Sequence, residues 1–256
     1  MKVTVLGSGT SHGVPSIGCD CVVCNSSDPK DKRSRPSIYI ETDATKILVD
    51  TSTDLRNQAL ANKIRRVDAI LFTHSHADHV MGLDDVRRYN QMQQGPIACY
   101  ADGETLGNLR QMFSYVFNPP KQIGGGLPQL VLNEITGPFA INDVRIVPVP
   151  VMHGKLPVLG FRIGSFAYLT DCNSIPESSW ALLTADGGVR TVILDALRHR
   201  PHSTHYSVSE AIDVIHTLGA ERAYLTHICH DLGHAETNAQ LPRGIELAYD
   251  GLVLTI

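Results

Sequence analysis

The stretch Ala69-Ile70-Leu71-Phe72-Thr73-His74-Ser75-His76-Ala77-Asp78-His79 constrains this chain more than any other. An apolar run with the length and residue types of a buried strand stops at Thr73. Three histidines and a carboxylate follow at once. His74 and His76 are two apart, so on extended backbone they point the same way. Asp78 and His79 come after the chain begins to turn and face a second point. Imidazole and carboxylate both ligate zinc, manganese and iron. The spacing allows one ion between His74 and His76 and another between Asp78 and His79.

The rest of the chain repeats the theme of a ligand at a strand end. Val144 to Val151 alternates and leads to His153. Leu159–Ile163 and Phe166–Leu169 read as a hairpin ending at Asp171. Val189–Leu194 ends at Asp195, and Arg222–Leu225 leads to Thr226-His227-Ile228-Cys229-His230. A sandwich of two mixed sheets flanked by helices delivers such residues to one edge. Asp195 suits a residue that orients a ligand histidine. His199, Arg200 and His202 read as solvated loop positions that can add positive charge near an anion.

Upstream, Val3–Leu6 predicts a strand and Gly7 to Pro15 a tight glycine-rich turn. No G-K-S/T follows, so this is no phosphate-binding P-loop. Its glycines let backbone pass close to the site, and His12 reads as a loop residue. Cys19, Cys21 and Cys24 follow as C-x-C-x-x-C, a spacing at which thiolates wrap one tetrahedral zinc and leave its fourth corner open. Ser37–Glu41 and Lys46–Asp50 predict a hairpin. Asp50 to Asp54 predicts a cap for a helix over Leu55–Ile64, and Leu83–Gln91 predicts another with Leu83, Val86 and Tyr89 inward. Thr105–Phe117 carries a helical pattern, broken by Asn118 to Gly126. Phe113, Tyr115 and Phe117 beside those glycines suit either a connector or a lid.

At 256 residues with 43% hydrophobic content, the chain predicts one domain over 1–256 with a full core. A net charge of −4 argues against a nucleic-acid partner. No apolar run is long enough for a membrane span. Met1 to Gly7 reads as a strand rather than a signal peptide, and a cytoplasmic location is expected. Six cysteines there imply metal ligands or packed thiols.

H-x-H-x-D-H resembles the signature of the metallo-β-lactamase fold superfamily. The resemblance implies an α/β fold, a four-layer αββα sandwich of two mixed β-sheets flanked by helices, with a binuclear metal site. By the superfamily pattern, His74, His76 and His153 hold one metal, Asp78, His79 and His227 hold the other, and Asp171 bridges. In β-lactamases proper a cysteine is a ligand of the second metal; here Cys172 is displaced by one. G-S-G-T-S-x-G-V-P-x-x-G-C-x-C-x-x-C with T-H-I-x-H is similar to the PhnP branch, cyclic-phosphate phosphodiesterases and their relatives. That resemblance implies a structural zinc on Cys19, Cys21, Cys24 and His230, and a His205 facing the scissile phosphate. Together they imply a phosphodiesterase of small (cyclic) phosphodiesters. A hydroxide between two divalent ions (Mn²⁺ or Zn²⁺, with Fe²⁺ a further candidate) would be the nucleophile, so Asp78 joins His205 as catalytic. A homodimer fits the relatives. The competing readings are a tRNA 3′-processing nuclease, which usually carries a glycine- and proline-rich arm not seen here, and a non-hydrolytic protein of pyrroloquinoline quinone biosynthesis.

Overall fold

In the computed structural model, residues 1–118 and 126–256 are described. Strands β1 (Lys2–Gly7), β2 (Ser37–Glu41), β3 (Lys46–Val49), β4 (Ala69–Leu71), β5 (Ile97–Ala101) and β6 (Leu130–Glu134) build the first sheet. Strands β7 (Phe139–Ile141), β8 (Val144–His153), β9 (Leu156–Ile163), β10 (Phe166–Leu169), β11 (Thr191–Asp195), β12 (Arg222–Thr226) and β13 (Ile245–Leu247) build the second. The last strand, β14 (Val253–Thr255), returns to the first sheet and pairs antiparallel with β1. The strand orders are β14-β1-β2-β3-β4-β5-β6 and β13-β12-β11-β10-β9-β8-β7.

The two sheets share one plan. From β3 to β6 and from β10 to β13 every pairing is parallel, and the remaining pairings are antiparallel. Parallel strands need crossovers and bury both faces. Helices α1 (Leu55–Ala61), α2 (Ala77–Val80), α3 (Arg87–Gln93), α4 (Gly103–Met112) and α5 (Ser114–Phe117) follow the first sheet's strands, and α6 (Glu177–Thr184), α7 (Val208–Leu218) and α8 (His234–Asn238) follow the second's.

Period-two alternation sorts the core into layers. Ile47 and Val49 of β3 and Ile193 of β11 face a cluster shared by both sheets, where Phe161, Phe166 and Tyr168 are buried. Leu48 faces the α1, α3 and α4 side with Leu55, Tyr89 and Leu109. Val192 and Leu194 face the α6 and α7 side with Leu183 and Ile215. Three apolar clusters between four layers make the αββα sandwich. Emptying the central one with Phe161→Ala would cost about 3–5 kcal/mol.

Local differences from the sequence reading have physical reasons. Asp54 stands before α1 but does not cap it: its carboxylate takes the Arg35 N–H at 2.9 Å and the Arg35 guanidinium at 3.2 Å. The helix stops at Ala61, short of Ile64, because Lys63 takes left-handed backbone at φ 54°. The expected helix from Leu83 starts as a 3₁₀ turn over Leu83–Val86 and then becomes α3, with Leu83, Val86 and Tyr89 buried as expected. The Thr105–Phe117 pattern splits at Phe113 into α4 and α5. Gly7 is needed because a Cβ there would lie 1.9 Å from the Arg35 carbonyl oxygen. Its close approach is thus to the 33–35 segment, not to the ligand histidines. The lid reading of residues 118–126 falls almost wholly outside the described residues. No helix of the described residues is long and apolar enough to cross a membrane.

Candidate metal centre

Parallel strands β4, β11 and β12, with β8 and β10, all end at one edge of the sandwich, and their next residues carry the chemistry. His74, His76 and His153 bring one ligand-type atom each within 4.8 Å of one another. Asp78, His79, Asp171 and His227 do the same. The expected grouping is therefore brought together, with Asp171 facing both parts. Its oxygens lie 3.2 Å from His79 Nε2, 3.2 Å from His227 Nε2 and 4.0 Å from His74 Nε2. Asp78 Oδ2 lies 3.3 Å from His79 Nε2 and 3.6 Å from His227 Nε2.

Partners behind the rings set which nitrogen faces the centre. His79 Nδ1 lies 2.8 Å from Asp50 Oδ2, so it carries the proton and Nε2 offers its lone pair to the site. His153 Nδ1 donates to the Thr204 carbonyl at 2.9 Å with the same result. His74 Nδ1 lies 3.0 Å from Thr73 Oγ1, which itself donates to Asp50 at 2.8 Å. Among the described residues, the buried Nε2 atoms of His74, His79 and His227 find no hydrogen-bond partner. Lone pairs of three imidazoles and two carboxylates converge on a small volume, where their mutual repulsion calls for cations. The donor set therefore fits divalent metals.

The electrostatics carry the same signature. Burial opposes charge on His79, yet Asp171, Asp50 and Asp78 outweigh it and hold the imidazole well above its ordinary range. Burial pushes His74 well below its range, and the neighbouring His79 adds to this. Burial would raise the Asp171 carboxyl, but His227 and His79 hold it well below the usual carboxylate range. In this cluster, protons stand in for the positive charge the site is built around. Asp50, Asp171 and His227 all sit at positive φ, at 62°, 55° and 61°. Non-glycine residues hold this conformation only when their surroundings over-determine it.

Asp50 and Thr73 were not singled out as site residues from the sequence. Asp50 was read as part of a helix cap, yet it is fully buried and accepts from the Thr73 N–H, the Thr73 hydroxyl and His79. A carboxylate ending a strand parallel to β4 was the available signal. Asp195, expected behind a ligand histidine, instead holds His205: Oδ2 lies 2.8 Å from His205 Nδ1. His205 stacks on His227 with ring centres 4.5 Å apart and lies within reach of Asp171 and His153. Cys172 is buried in the outer cluster and directs its thiol to the Leu169 carbonyl. It does not face the centre. His12 and His199 are exposed, and His216 lies on the solvent face of α7.

A second cluster closes the far side of this edge. His230 Nδ1 lies 3.2, 3.4 and 3.7 Å from the sulfurs of Cys19, Cys21 and Cys24. The open corner of C-x-C-x-x-C is thus filled by a residue two hundred positions away. The Cys24 N–H, ahead of His230, pulls the Cys21 thiol down to about 6, against partial desolvation. Burial, reinforced by the neighbouring sulfurs, pushes Cys24 up to about 11. Three sulfurs and one imidazole nitrogen within 4.8 Å of one another fit a closed thiolate–imidazole site for one tetrahedral ion.

Residues 45–228 match the model of the β-lactamase superfamily domain. The crystal structure of a diphosphatase from the PhnP family superposes with a TM-score of 0.91 at 45% identity, covering 99% of this chain and 96% of that one. The chain belongs to the PhnP family of the metallo-β-lactamase superfamily. Zinc-bound PqqB from Methylobacterium extorquens shares the fold across both whole chains, with a TM-score of 0.78 at 19% identity. A protein from Porphyromonas gingivalis named octanoyltransferase is 42% identical over 257 residues, which cover 98% of this chain and 51% of that one. The chain spans about half the length of the curated relatives it matches.

Proposed function

We propose that the chain is a binuclear metal-dependent phosphodiesterase acting on a small, cyclic or linear, phosphodiester or a related diphosphate. The observation that carries this reading is the placement of His205. It is tied to Asp195 through Nδ1, is not needed to complete either ligand group, and brings a ring nitrogen within 4.8 Å of an Asp171 oxygen. His74, His76 and His153 would hold one ion, and Asp78, His79 and His227 the other, with Asp171 between them. Such ions supply Lewis-acid stabilisation of phosphoryl oxygens and lower the pKa of water toward neutrality. The choice among Mn²⁺, Zn²⁺ and Fe²⁺ is left to availability by an all His/Asp donor set.

The chain's own residues divide the remaining work. Asp50 and Thr73 fix the His79 and His74 tautomers, and Thr204 fixes that of His153. Asp195 gives an imidazolium at His205 its counter-charge and leaves Nε2 free to donate. A donor beside the phosphate can protonate an alkoxide leaving group, which departs poorly as an anion. The Cys19, Cys21, Cys24 and His230 site would hold one zinc and tie the N-terminal loop to the segment after β12. The reading also takes the substrate to be a small molecule rather than nucleic acid, and places the protein in the cytoplasm, with a homodimer as its assembly.

A substrate screen tests this. The Mn²⁺-loaded protein should hydrolyse bis(p-nitrophenyl) phosphate or a dinucleoside diphosphate. Hydrolysis of a β-lactam or of an octanoyl or glutathione thioester, with neither phosphate substrate turned over, would overturn it.

A further inference from the structure

A pocket of about 300 Å³ opens on the outer helical layer, between α1, the turn that follows it, and α3. Its floor is apolar, with Leu55, Ile64 and Tyr89 buried in it. Leu60 and Met92 stand at its rim and are 63% and 42% exposed. None of its lining residues belongs to the His/Asp centre or to the cysteine cluster. Large apolar side chains left in water around a recess mark an interaction site in a way that one isolated exposed leucine does not.

Backbone and side-chain hydrogen bonds hold this recess open without a partner. Lys63 takes left-handed backbone, and the Ile64 N–H reaches back to the Ala59 carbonyl at 2.9 Å. That bond closes the end of α1 and folds Ile64 onto the helix. Gln93 then fastens the far wall: its side chain accepts from the Val67 N–H at 2.8 Å and donates to the Val67 carbonyl at 2.9 Å. A preformed recess lowers the ordering cost that docking would otherwise carry.

The charge around the recess is unbalanced. Arg56, Lys63, Arg65 and Arg88 line it against one carboxylate, Asp85. Nearby cations that face elsewhere are paired, Arg66 with Asp68 at 2.6 Å and Arg87 with Asp84 at 3.1 Å. Among the described residues, none of the four lining cations enters an ion pair. Arg88 meets only Gln91 of its own helix, at 3.2 Å. In a chain of net charge −4, four unpaired cations around one apolar recess call for an acidic partner. Shape narrows the choice. A bilayer is met by a projecting apolar face, whereas this floor is sunk between helices. Single-stranded nucleic acid needs exposed aromatic faces for its bases, and Tyr89, the aromatic residue lining the pocket, is buried. A recess ringed by cations suits one large apolar side chain with carboxylates on either side of it.

We propose that this pocket docks an acidic peptide segment of a partner protein, with a leucine or aromatic anchor in the recess and flanking Asp or Glu side chains on Arg56, Lys63, Arg65 and Arg88. Such a segment would bind on the helical layer, without entering the His/Asp centre.

Selection from a random-peptide phage library on the immobilised, metal-loaded protein tests this without presuming a sequence. The enriched peptides should share a leucine or aromatic residue flanked by Asp or Glu. A fluorescent copy of one of them, followed by anisotropy, should lose about tenfold or more in affinity when its anchor becomes alanine. Leu60→Asp and Arg65→Glu, both at exposed positions, should each cost a similar factor, and added salt should weaken binding to the wild type. Arg110→Glu, a like charge reversal on exposed α4, should leave the affinity within about twofold, since it lies outside the pocket. Melting temperatures of the variants show whether they stay folded. Failure to enrich an acidic, anchored sequence, or peptides that bind Leu60→Asp and Arg65→Glu as they bind the wild type, overturn the proposal. Two further results would also overturn it by giving the pocket another occupant. One is Arg65-dependent binding of phosphatidylglycerol vesicles or a single-stranded oligonucleotide with no peptide bound. The other is a wild-type dimer that Leu60→Asp turns into a monomer in analytical ultracentrifugation.

Discussion

Asp50→Asn isolates the role of a buried carboxylate that touches no substrate. Asp50 accepts three hydrogen bonds of 2.8 Å, from the Thr73 N–H, the Thr73 hydroxyl and His79 Nδ1. Asparagine keeps the volume and one acceptor, and it tolerates the left-handed backbone at φ 62°. Its amide NH₂ must then occupy one oxygen's place. With NH₂ toward His79, the imidazole has to present a lone pair at Nδ1 and move its proton to Nε2, where it blocks a metal. Loss of an outer partner of a metal-binding histidine typically costs about 10–100-fold in affinity, and the reversed tautomer places this variant at the upper end. Asp50→Ala should add roughly 1–3 kcal/mol of lost stability, because the buried Thr73 N–H is left unpaired. Chelator competition followed by elemental analysis reads the affinity, and thermal melts read the stability. If Asp50→Asn retains wild-type affinity for both ions, the tautomer argument is wrong.

Cys21→Ser should abolish zinc binding at the cysteine cluster and lower the melting temperature, while the protein that remains folded keeps its His/Asp ions; unchanged zinc stoichiometry refutes the assignment. His205→Ala should keep both His/Asp ions and lose roughly 10²–10⁴ in rate with alkyl leaving groups, but far less with p-nitrophenolate; an equal loss on both makes His205 a phosphate binder, and lost metal makes it a ligand. In metal-free protein, burial disfavours the charged His227, but Asp171 and Asp78 outweigh it and push its pKa from 6.5 up to about 9. A raised histidine stabilises the fold fully below its unfolded pKa and loses that contribution as pH climbs through the folded value. The melting temperature of chelator-treated protein should therefore fall between pH 6.5 and 9, and a flat profile over that window refutes the coupling.

Residues that pattern on the chain were readable, and those that depend on the third dimension were not. The apolar run into Thr73 and the H-x-H-x-D-H cluster are contiguous, so strand, turn and ligand types could be read together. His153, Asp171 and His227 could be placed because each follows an alternating or continuous apolar run. The resemblance then linked His230 to the three cysteines, a pairing across some two hundred residues that spacing alone left open. Asp50 was hidden because Asp-Thr-Ser before a helical segment has the same composition as a cap; only the parallel pairing of β3 with β4 puts it behind His79. Asp54 shows the converse, a cap by sequence whose oxygens Arg35 takes first. Strands β6, β7, β13 and β14 were missed: they are short segments at the four edges of the two sheets, several half exposed, whose pairing partners rather than their own patterns make them strands.

As a binuclear phosphodiesterase, the protein should require both ion positions of the His/Asp centre for turnover. Stepwise return of Mn²⁺ to chelator-stripped protein, with bound ions counted and bis(p-nitrophenyl) phosphate hydrolysis followed in the same samples, tests it directly. Little activity should appear until the second of these positions fills, and none in Asp78→Ala at any Mn²⁺ concentration. Full turnover with a single ion bound, or turnover that Asp78→Ala retains, would contradict it.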